Sequence, residues 1–167
     1  MDECHFQQHG SRLAAWFHLD EKDPVVQHAP TRKKMGIIGA VRAGDGKLVA
    51  REEEKFNAQT VESFFSELFQ HRDTGKIMVV VLDNARFHHA KALSEWLTKH
   101  SREFCLAFLP PYSPELNHIE RVWKLIRRLC THNRYFEHLT DLRQAVFSKI
   151  SEWVSPNDTL AQLCAIN

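Results

Sequence analysis

Asp83 is an acidic residue that stands where a carboxylate could take part in catalysis. It directly follows residues 77–82, an unbroken apolar run of sequence IMVVVL that is expected of a strand buried on both faces. Active sites in open α/β sheets gather at the carboxyl ends of the strands, so this position favours a catalytic acid. Capping of the following turn by Asp83 and Asn84 is the alternative interpretation.

A second acid, Glu120, lies in a locally basic stretch of the chain. At about 100 degrees per residue on a helix, it falls away from the apolar stripe and close to Lys124 and Arg127. Such a face suits a metal site beside a phosphate backbone, where the cations hold the nucleic acid and the acid holds the metal. The alternative is a solvated pair of Glu120 with Lys124. The basic residues from position 120 to position 134 are Arg121, Lys124, Arg127, Arg128 and Arg134.

Asp2 and Glu3 are acids at the very start of the chain. They precede Cys4-His5-Phe6, which could be the tail of a short first strand. Acidic residues near a terminus are usually solvated, so these two indicate nothing about function on their own.

The elements that must position these acids begin with strands. Residues 13–19, 34–41 and 47–51 carry apolar and β-branched residues, and the sequence AGDG at 43–46 is typical of a hairpin loop. We expect an antiparallel meander that follows a first strand at the extreme N-terminus.

The remainder of the chain alternates between helices and strands. A helix capped by Asn57 or Thr60 carries apolar residues at 61, 64, 65, 68 and 69, and it is followed by the strand at 77–82. Further on, we predict helices at 90–99, from about 117 and at 140–153, a strand at 104–109, and a rigid loop at 110–114. The helix that begins near position 117 has an apolar stripe, which consists of Ile119, Val122, Trp123, Ile126, Leu129 and Cys130. This order predicts an α/β fold with helices on both faces of a mixed sheet.

The composition is that of one ordinary globular domain. The 167 residues are 43% hydrophobic and 26% charged, with a formal net charge of +1. No apolar run approaches the ~20 residues of a membrane span, and no signal-peptide pattern opens the chain, so we expect a soluble, cytoplasmic protein. The four cysteines are scattered without a C-x-x-C pair and are expected to be reduced core thiols.

Three motifs, which follow each other in the order expected of the family, resemble the DDE transposases of the mariner-like superfamily, specifically its bacterial insertion-sequence branch. They are DECHF from position 2, VVLDNARFH from position 80, and LPPYSPELNHIERVW from position 109. The last is a long string of mixed residue types, which makes a chance match improbable. Carried over position by position, the metal-binding acids of the family fall on Asp2, Asp83 and Glu120.

This resemblance implies a ribonuclease-H-like fold, in which the first two acids lie on adjacent strands and the third on a helix. It also implies a two-metal site for Mg²⁺ or Mn²⁺, which would cleave DNA at transposon ends and transfer the 3′ end to a TA-containing target. The active complex is expected to be a homodimer on double-stranded DNA. Asn84 and His88 are candidates to orient a metal ligand or touch a phosphate. The expected DNA-binding residues are Arg121, Lys124, Arg127 and Arg128.

The chain also departs from the pattern of that family. The helix-turn-helix region that such transposases place before the catalytic domain is absent, so 1–167 is expected to be a single catalytic domain with weak sequence-specific binding. The strand leading into Asp2 is expected to be truncated, since a central strand usually needs about five residues. His118 stands where the pattern usually carries proline, which predicts a slightly looser helix start. A truncated copy and the second half of a two-frame transposase both remain open.

Three rival interpretations accompany the transposase hypothesis. The histidines at 88, 89, 132 and 138 suggest a structural zinc site as an alternative, but their spacing does not favour it. A catalytically silent remnant would keep the basic face for DNA binding or dimerisation without a complete metal site. A general ribonuclease-H-like nuclease is the third possibility, because fold alone does not fix function.

Overall fold

Two small β-sheets form the framework of the computed structural model, which describes residues 1–22, 25, 27–89 and 91–165. Strands β1 (Asp2–Gln7), β2 (Lys34–Val41) and β3 (Leu48–Glu53) make an antiparallel meander in that order. Strands β4 (Met78–Leu82) and β5 (Phe104–Phe108) pair in parallel and make the second sheet. The predicted meander is thus confirmed, and the overall class is mixed α/β.

Two helices cover one side of the framework. Helix α1 (Ala58–Gln70) begins where the Asn57 side chain accepts a hydrogen bond from the Thr60 backbone N–H, as its sequence predicts. Helix α2 (Ala92–Lys99) follows β4. Their apolar residues pack with those of β4 and β5 into one core, whose fully buried members include Val61, Phe64, Phe65, Leu82, Leu93 and Phe104.

Three further helices cover the other side of the meander. They are α3 (His118–Ile126), α4 (Leu139–Ser151) and α5 (Asp158–Leu163), and α3 continues into a short π-helical turn at Arg127–Thr131. Successive residues of a strand point to opposite faces, and Ile37 and Ile38 accordingly enter the two different cores. Helices therefore lie on both faces of β2, as predicted.

Residues 13–19 do not form the strand that their composition predicts. They pair with no strand of the described structure, and Leu13, Trp16 and Leu19 are exposed. The large apolar residues stand at 13, 16, 17 and 19, which is not the alternation that would bury one face of a strand. The Asn133 side chain holds the backbone N–H and C=O of Leu13 in place of a sheet.

Other differences concern burial and the order of the strands. The run 77–82 is not buried on both faces, because Ile77, Val79 and Val81 are 62%, 57% and 41% exposed. In the described structure, the strands are hydrogen-bonded as a three-stranded sheet and a two-stranded sheet. Cys105 is exposed, whereas Cys4, Cys130 and Cys164 are buried.

The helix boundaries differ from the predictions in smaller ways. Helix α5 was not anticipated, and Leu129 is 40% exposed in the stripe predicted for α3. Position 90, the predicted start of α2, lies outside the described residues. No helix in the described part of the chain is long and apolar enough to cross a membrane.

Candidate active site

Asp2 is the first residue of β1, and its carboxylate faces α3. The indole Nε1 of Trp123 donates a hydrogen bond of 3.0 Å to Asp2 Oδ2. Gly39 lies opposite Asp2 on β2, and a Cβ built there would stand 2.6 Å from the Trp123 ring. The absence of a side chain at Gly39 therefore makes the space in which Trp123 reaches Asp2.

Glu120 lies in the first turn of α3, which is fixed to β1 at a second point. Asn117, the residue before the helix, is buried and donates from Nδ2 to the Met1 carbonyl oxygen at 3.1 Å. The contacts of Asn117 and Trp123 flank Glu120 on the helix and bring it beside Asp2. Burial, and after it the nearby charge of Glu120, raise the pKa of Asp2 to about 7.

Asp83 follows the end of β4, as its position after the apolar run predicts. Its side chain is 54% exposed, and Oδ1 accepts a hydrogen bond of 3.0 Å from the Ala85 backbone N–H. It therefore does cap the turn, and more than half of its side chain stays exposed. The start of β1 reaches this region because the Met1 amino group donates to the Val81 carbonyl oxygen at 2.7 Å.

His88 connects Asp83 to β1. Its ring is completely buried, with Nε2 lying 3.2 Å from Glu3 Oε1 and Nδ1 lying 3.1 Å from the Asp83 carbonyl oxygen. Both partners are acceptors, so both ring nitrogens must donate, which requires the protonated imidazole. Burial by itself lowers the pKa of His88, but the hydrogen bond and charge of Glu3 outweigh it, and the pKa is raised. The role predicted for His88, to orient a metal ligand or touch a phosphate, stays a prediction.

The remaining predicted residues differ in what they contact. Asn84 donates its side-chain N–H to the Leu109 carbonyl oxygen and so joins the ends of β4 and β5. Arg127 is half-buried, with its guanidinium 5.3 Å above the Phe6 ring, and Arg121 donates to the Leu163 carbonyl oxygen. Lys124 and Arg128 are exposed.

The three predicted acids do not form a metal-ligand cluster in the described part of the chain. Within the described ranges, no group of three or more His, Cys, Asp or Glu side chains is arranged to hold a metal. Their chemistry nevertheless fits a hard divalent cation, because Asp2 and Glu120 are carboxylates that repel each other. A cation between them would relieve this repulsion. The sequence analysis assigns no site role to Glu3, Asn117 or Trp123, although all three stand in the motifs that carry the resemblance.

A family model described as DDE superfamily endonuclease matches residues 1–143. The chain belongs to the DDE superfamily of endonucleases. The expected family is thus confirmed, and the match includes the positions of all three predicted acids.

Two curated proteins are similar in sequence to this DDE superfamily chain. One is the insertion element IS630 uncharacterized 39 kDa protein of Shigella sonnei, 27% identical over 124 residues, which are 74% of this chain and 36% of that protein. The other is the uncharacterized protein y4pE/y4sA of Sinorhizobium fredii, 32% identical over 106 residues, which are 64% of this chain and 75% of that protein. The chain thus spans about a third of the length of the insertion-element protein.

The fold is similar to that of the Mos1 transposase. In the Mos1 paired-end complex with left transposon end, the match covers 98% of this chain and 49% of that chain, with a TM-score of 0.71 and 15% identity. For the catalytic domain of Mos1 mariner transposase, the TM-score is 0.56 and the match covers 79% of this chain and 68% of that domain. At this identity, the comparison supports a shared fold.

Proposed function

We propose that this DDE superfamily chain is the catalytic domain of an insertion-sequence transposase, which cleaves DNA at transposon ends and joins the 3′ end to target DNA. One observation carries the proposal: the α3 region docks onto Met1 and Asp2 at the start of β1, so that Glu120 lies close enough to Asp2 to raise its pKa. A desolvated carboxylate beside a like charge is a common feature of catalytic sites.

The finer part of the proposal is a single ribonuclease-H-like domain. In it, the meander and the β4–β5 pair are two parts of one mixed sheet, which meet where the Met1 amino group bonds to the Val81 carbonyl oxygen. The shared fold with Mos1 transposase supports this arrangement.

Asp2, Asp83 and Glu120 would hold divalent Mg²⁺ or Mn²⁺, which supplies activation of the attacking oxygen and charge neutralisation at phosphorus. A structure of the Mos1 mariner paired-end complex contains Mn, which supports a metal of this class for this chain too. The protein residues around the acids orient them. His88 contacts both the Asp83 carbonyl oxygen and Glu3, and Trp123 donates a hydrogen bond to one oxygen of Asp2.

DNA would lie along the exposed side of α3 and the turn that follows it. Lys124 and Arg128 are exposed there, so their charges are available to phosphates. Double-stranded transposon ends, a TA-containing target and a homodimer in the active complex are parts of this proposal. The Mos1 structures with transposon ends support the first of them.

One observation favours a second candidate, a DNA-binding remnant without catalysis: the described residues hold no ready three-ligand group. A nicking assay on DNA carrying terminal repeats, with Mg²⁺ or Mn²⁺, separates the two. The wild-type chain should nick this DNA, and Asp83→Asn should nick it at least about a hundredfold more slowly. Equal rates for the two proteins would overturn the catalytic proposal. Glu115→Gln, which changes an exposed acid before α3, is the matched control and should keep the wild-type rate.

A further inference from the structure

Tyr112 is a fully exposed aromatic residue in the loop of residues 109–117, which joins β5 to α3; we call this segment the proline loop. The residue is 101% exposed. Its backbone φ angle is 57°, in the left-handed region that bulky residues rarely adopt. The ring therefore gains nothing from burial, and the backbone that carries it is strained.

The other residues with a positive φ in the described structure each have a local reason for it. Gly10, Gly46 and Gly75 lack a Cβ and adopt this conformation without a steric clash. Asn133 is of a type that tolerates it, and its side chain bonds to the backbone of Leu13. Tyr112 has neither advantage. Strained backbone of this kind clusters at functional sites, so the conformation of Tyr112 calls for a functional explanation.

Both ends of the proline loop are fastened beside the predicted acids. At its start, Leu109 bonds to both neighbours of Asp83: its N–H donates to the Leu82 carbonyl oxygen, and its carbonyl oxygen accepts from the Asn84 side chain. At its end, the Asn117 side chain bonds to the first residue of the chain, next to the first acid. The proline loop therefore runs from one acid of the candidate site to another.

The length of the proline loop limits how far Tyr112 can lie from Asp83. Tyr112 follows Leu109 by three positions, and an extended chain spans at most about 3.5 Å per residue, so their Cα atoms lie within about 11 Å. Successive nucleotides of a DNA strand are about 3.4 Å apart along the helix axis. Tyr112 is therefore within about three nucleotides of a phosphate bound at Asp83.

The sequence of the proline loop keeps Tyr112 in this exposed position. The prolines at 110, 111 and 114 each fix their φ angle. The Ser113 hydroxyl donates to the Pro111 carbonyl oxygen at 3.3 Å, and the Leu116 N–H donates to the Ser113 carbonyl oxygen at 3.2 Å. A tyrosine side chain has only two χ angles, so little conformational entropy is lost when a ligand orders it. The loop is thus preorganised for a contact through the ring.

A DNA base with an open face is the ligand that such a ring fits. Aromatic side chains stack on bases, and this contact depends little on the base because every base has a π-face. A base inside a duplex is covered on both faces by its neighbours, so stacking requires an unpaired or a terminal base. Cleavage through a duplex leaves a terminal base whose outer face is open.

We propose that Tyr112 stacks on the unpaired or terminal base next to the site of cleavage and so holds the DNA end at the acids. This inference rests on the proposed function, which supplies the DNA end. Tyr112 would be a DNA-binding residue and would take no part in breaking bonds. The contact would select an open DNA end over an uninterrupted duplex, whatever the base.

The test measures stacking with two DNA duplexes, one with an unpaired 2-aminopurine at its 3′ end and one with it at its 5′ end. The fluorescence of this base falls when it stacks on an aromatic ring. A duplex with 2-aminopurine in an internal pair is the DNA control. Ca²⁺ replaces Mg²⁺, because it occupies sites with oxygen ligands while little DNA is cut.

Three variants of the full chain are compared with the wild type. Tyr112→Gly removes the ring and relieves the backbone strain, whereas Tyr112→Phe keeps the ring and removes only the hydroxyl group. Tyr135→Ala removes the other tyrosine of the chain, which is also exposed, and is the matched control.

We expect the wild type, Tyr112→Phe and Tyr135→Ala to quench at least one end-labelled duplex equally, and none of the proteins to quench the internal label. Tyr112→Gly should not quench either end label, and it should bind the quenched duplex about fivefold or more weakly. Its melting temperature should not fall, because glycine adopts a positive φ without strain. Loss of the contact with unchanged stability separates a binding role from a structural one.

Equal quenching by Tyr112→Gly and the wild type would overturn the inference. Loss of quenching in Tyr112→Phe would also overturn it, because the hydroxyl group and not the ring would then make the contact. So would a lower melting temperature of Tyr112→Gly, which would indicate a structural role. Nicking with Mg²⁺ is measured separately: a wild-type chain that quenches the end label without nicking would uphold the stacking and refute the catalysis, and nicking without quenching would do the reverse.

Discussion

The side chain of Asn117 donates a hydrogen bond to the carbonyl oxygen of Met1, 3.1 Å away and 116 positions earlier in the chain. This contact fastens the first turn of α3 to the first strand. Glu120 lies in this same first turn and is therefore held beside Asp2, the feature on which the proposed catalysis rests.

Replacement of Asn117 by alanine should destabilise the protein and loosen the site. The variant leaves the Met1 carbonyl without its buried donor, a change that typically costs about 1–3 kcal/mol. Urea unfolding measures the loss. Glu115→Ala, an exposed position in the turn before the helix, should change the free energy of unfolding by less than about 0.5 kcal/mol. Equal effects of the two substitutions would show that Asn117 does not fasten α3.

Gly39→Ala should displace Trp123 from Asp2. The added Cβ would stand 2.6 Å from the indole ring, so the ring must move, at a cost of about 1–3 kcal/mol. The chemical shift of the Trp123 indole N–H reports whether its hydrogen bond to Asp2 is lost. Gly44→Ala is the control, because no atom lies within 4 Å of its Cβ position. An unchanged indole signal in Gly39→Ala would contradict the prediction.

The stability of the metal-free protein should depend on pH through Asp2. Its pKa in the folded protein, about 7, is above the ordinary 3.8, so folding favours the protonated acid. The contribution of Asp2 to the free energy of unfolding is fully present below its ordinary pKa of 3.8 and is lost as the pH rises toward 7. Asp2→Asn removes this loss, and its stability relative to wild type should increase from pH 4 to pH 7 and then level off.

The comparison of Asp2→Asn with wild type is needed because a second group acts in the opposite direction. Burial lowers the pKa of the Met1 amino group from 8.0 to about 6, so its contribution makes stability rise with pH between these values. Burial, the largest cause of the lowered Met1 pKa, is common to both proteins and cancels in the difference between their urea unfolding curves, which leaves Asp2 and its charge interaction with the Met1 amino group. A difference that is independent of pH would refute the role of Asp2.

Mn²⁺ should raise the melting temperature of the wild-type chain but not that of Glu120→Gln. A ligand that binds the folded state stabilises it by mass action, and loss of a carboxylate ligand removes much of that affinity. Calorimetry with and without Mn²⁺ gives both shifts. Glu115→Gln should respond to Mn²⁺ as the wild type does. An equal Mn²⁺ response in Glu120→Gln would exclude this acid as a ligand.

Two basic residues near α3 should differ in their effect on DNA binding. Lys124 is exposed, so Lys124→Ala should reduce the slope of log affinity against log salt by about one. Arg127 packs on Phe6 and is half-buried, so Arg127→Ala should lower stability and change the slope less. Fluorescence anisotropy at several salt concentrations measures the slopes. Equal slopes for both variants would contradict the difference in burial.

Local sequence was sufficient for most of the secondary structure. The bounds of β2 and the cap of α1 at Asn57 agree with the predictions. Both depend on residues close together in the chain, through the spacing of apolar residues and through capping. The failures at 13–19 and at Ile77, Val79 and Val81 have a different cause. Whether an apolar segment is paired and covered depends on elements distant in sequence, which no local pattern specifies.

The sequence by itself determined the family, the three candidate acids and most of the helices and strands, since motifs and periodicity are properties of the linear chain. The tertiary structure alone decided how those acids are supported: Asn117 on Met1, Trp123 on Asp2 through the space at Gly39, and His88 between Asp83 and Glu3. Each support joins residues that are far apart in the chain. Such contacts arise when the helices and strands pack together. A local sequence pattern does not specify which distant residues will then meet.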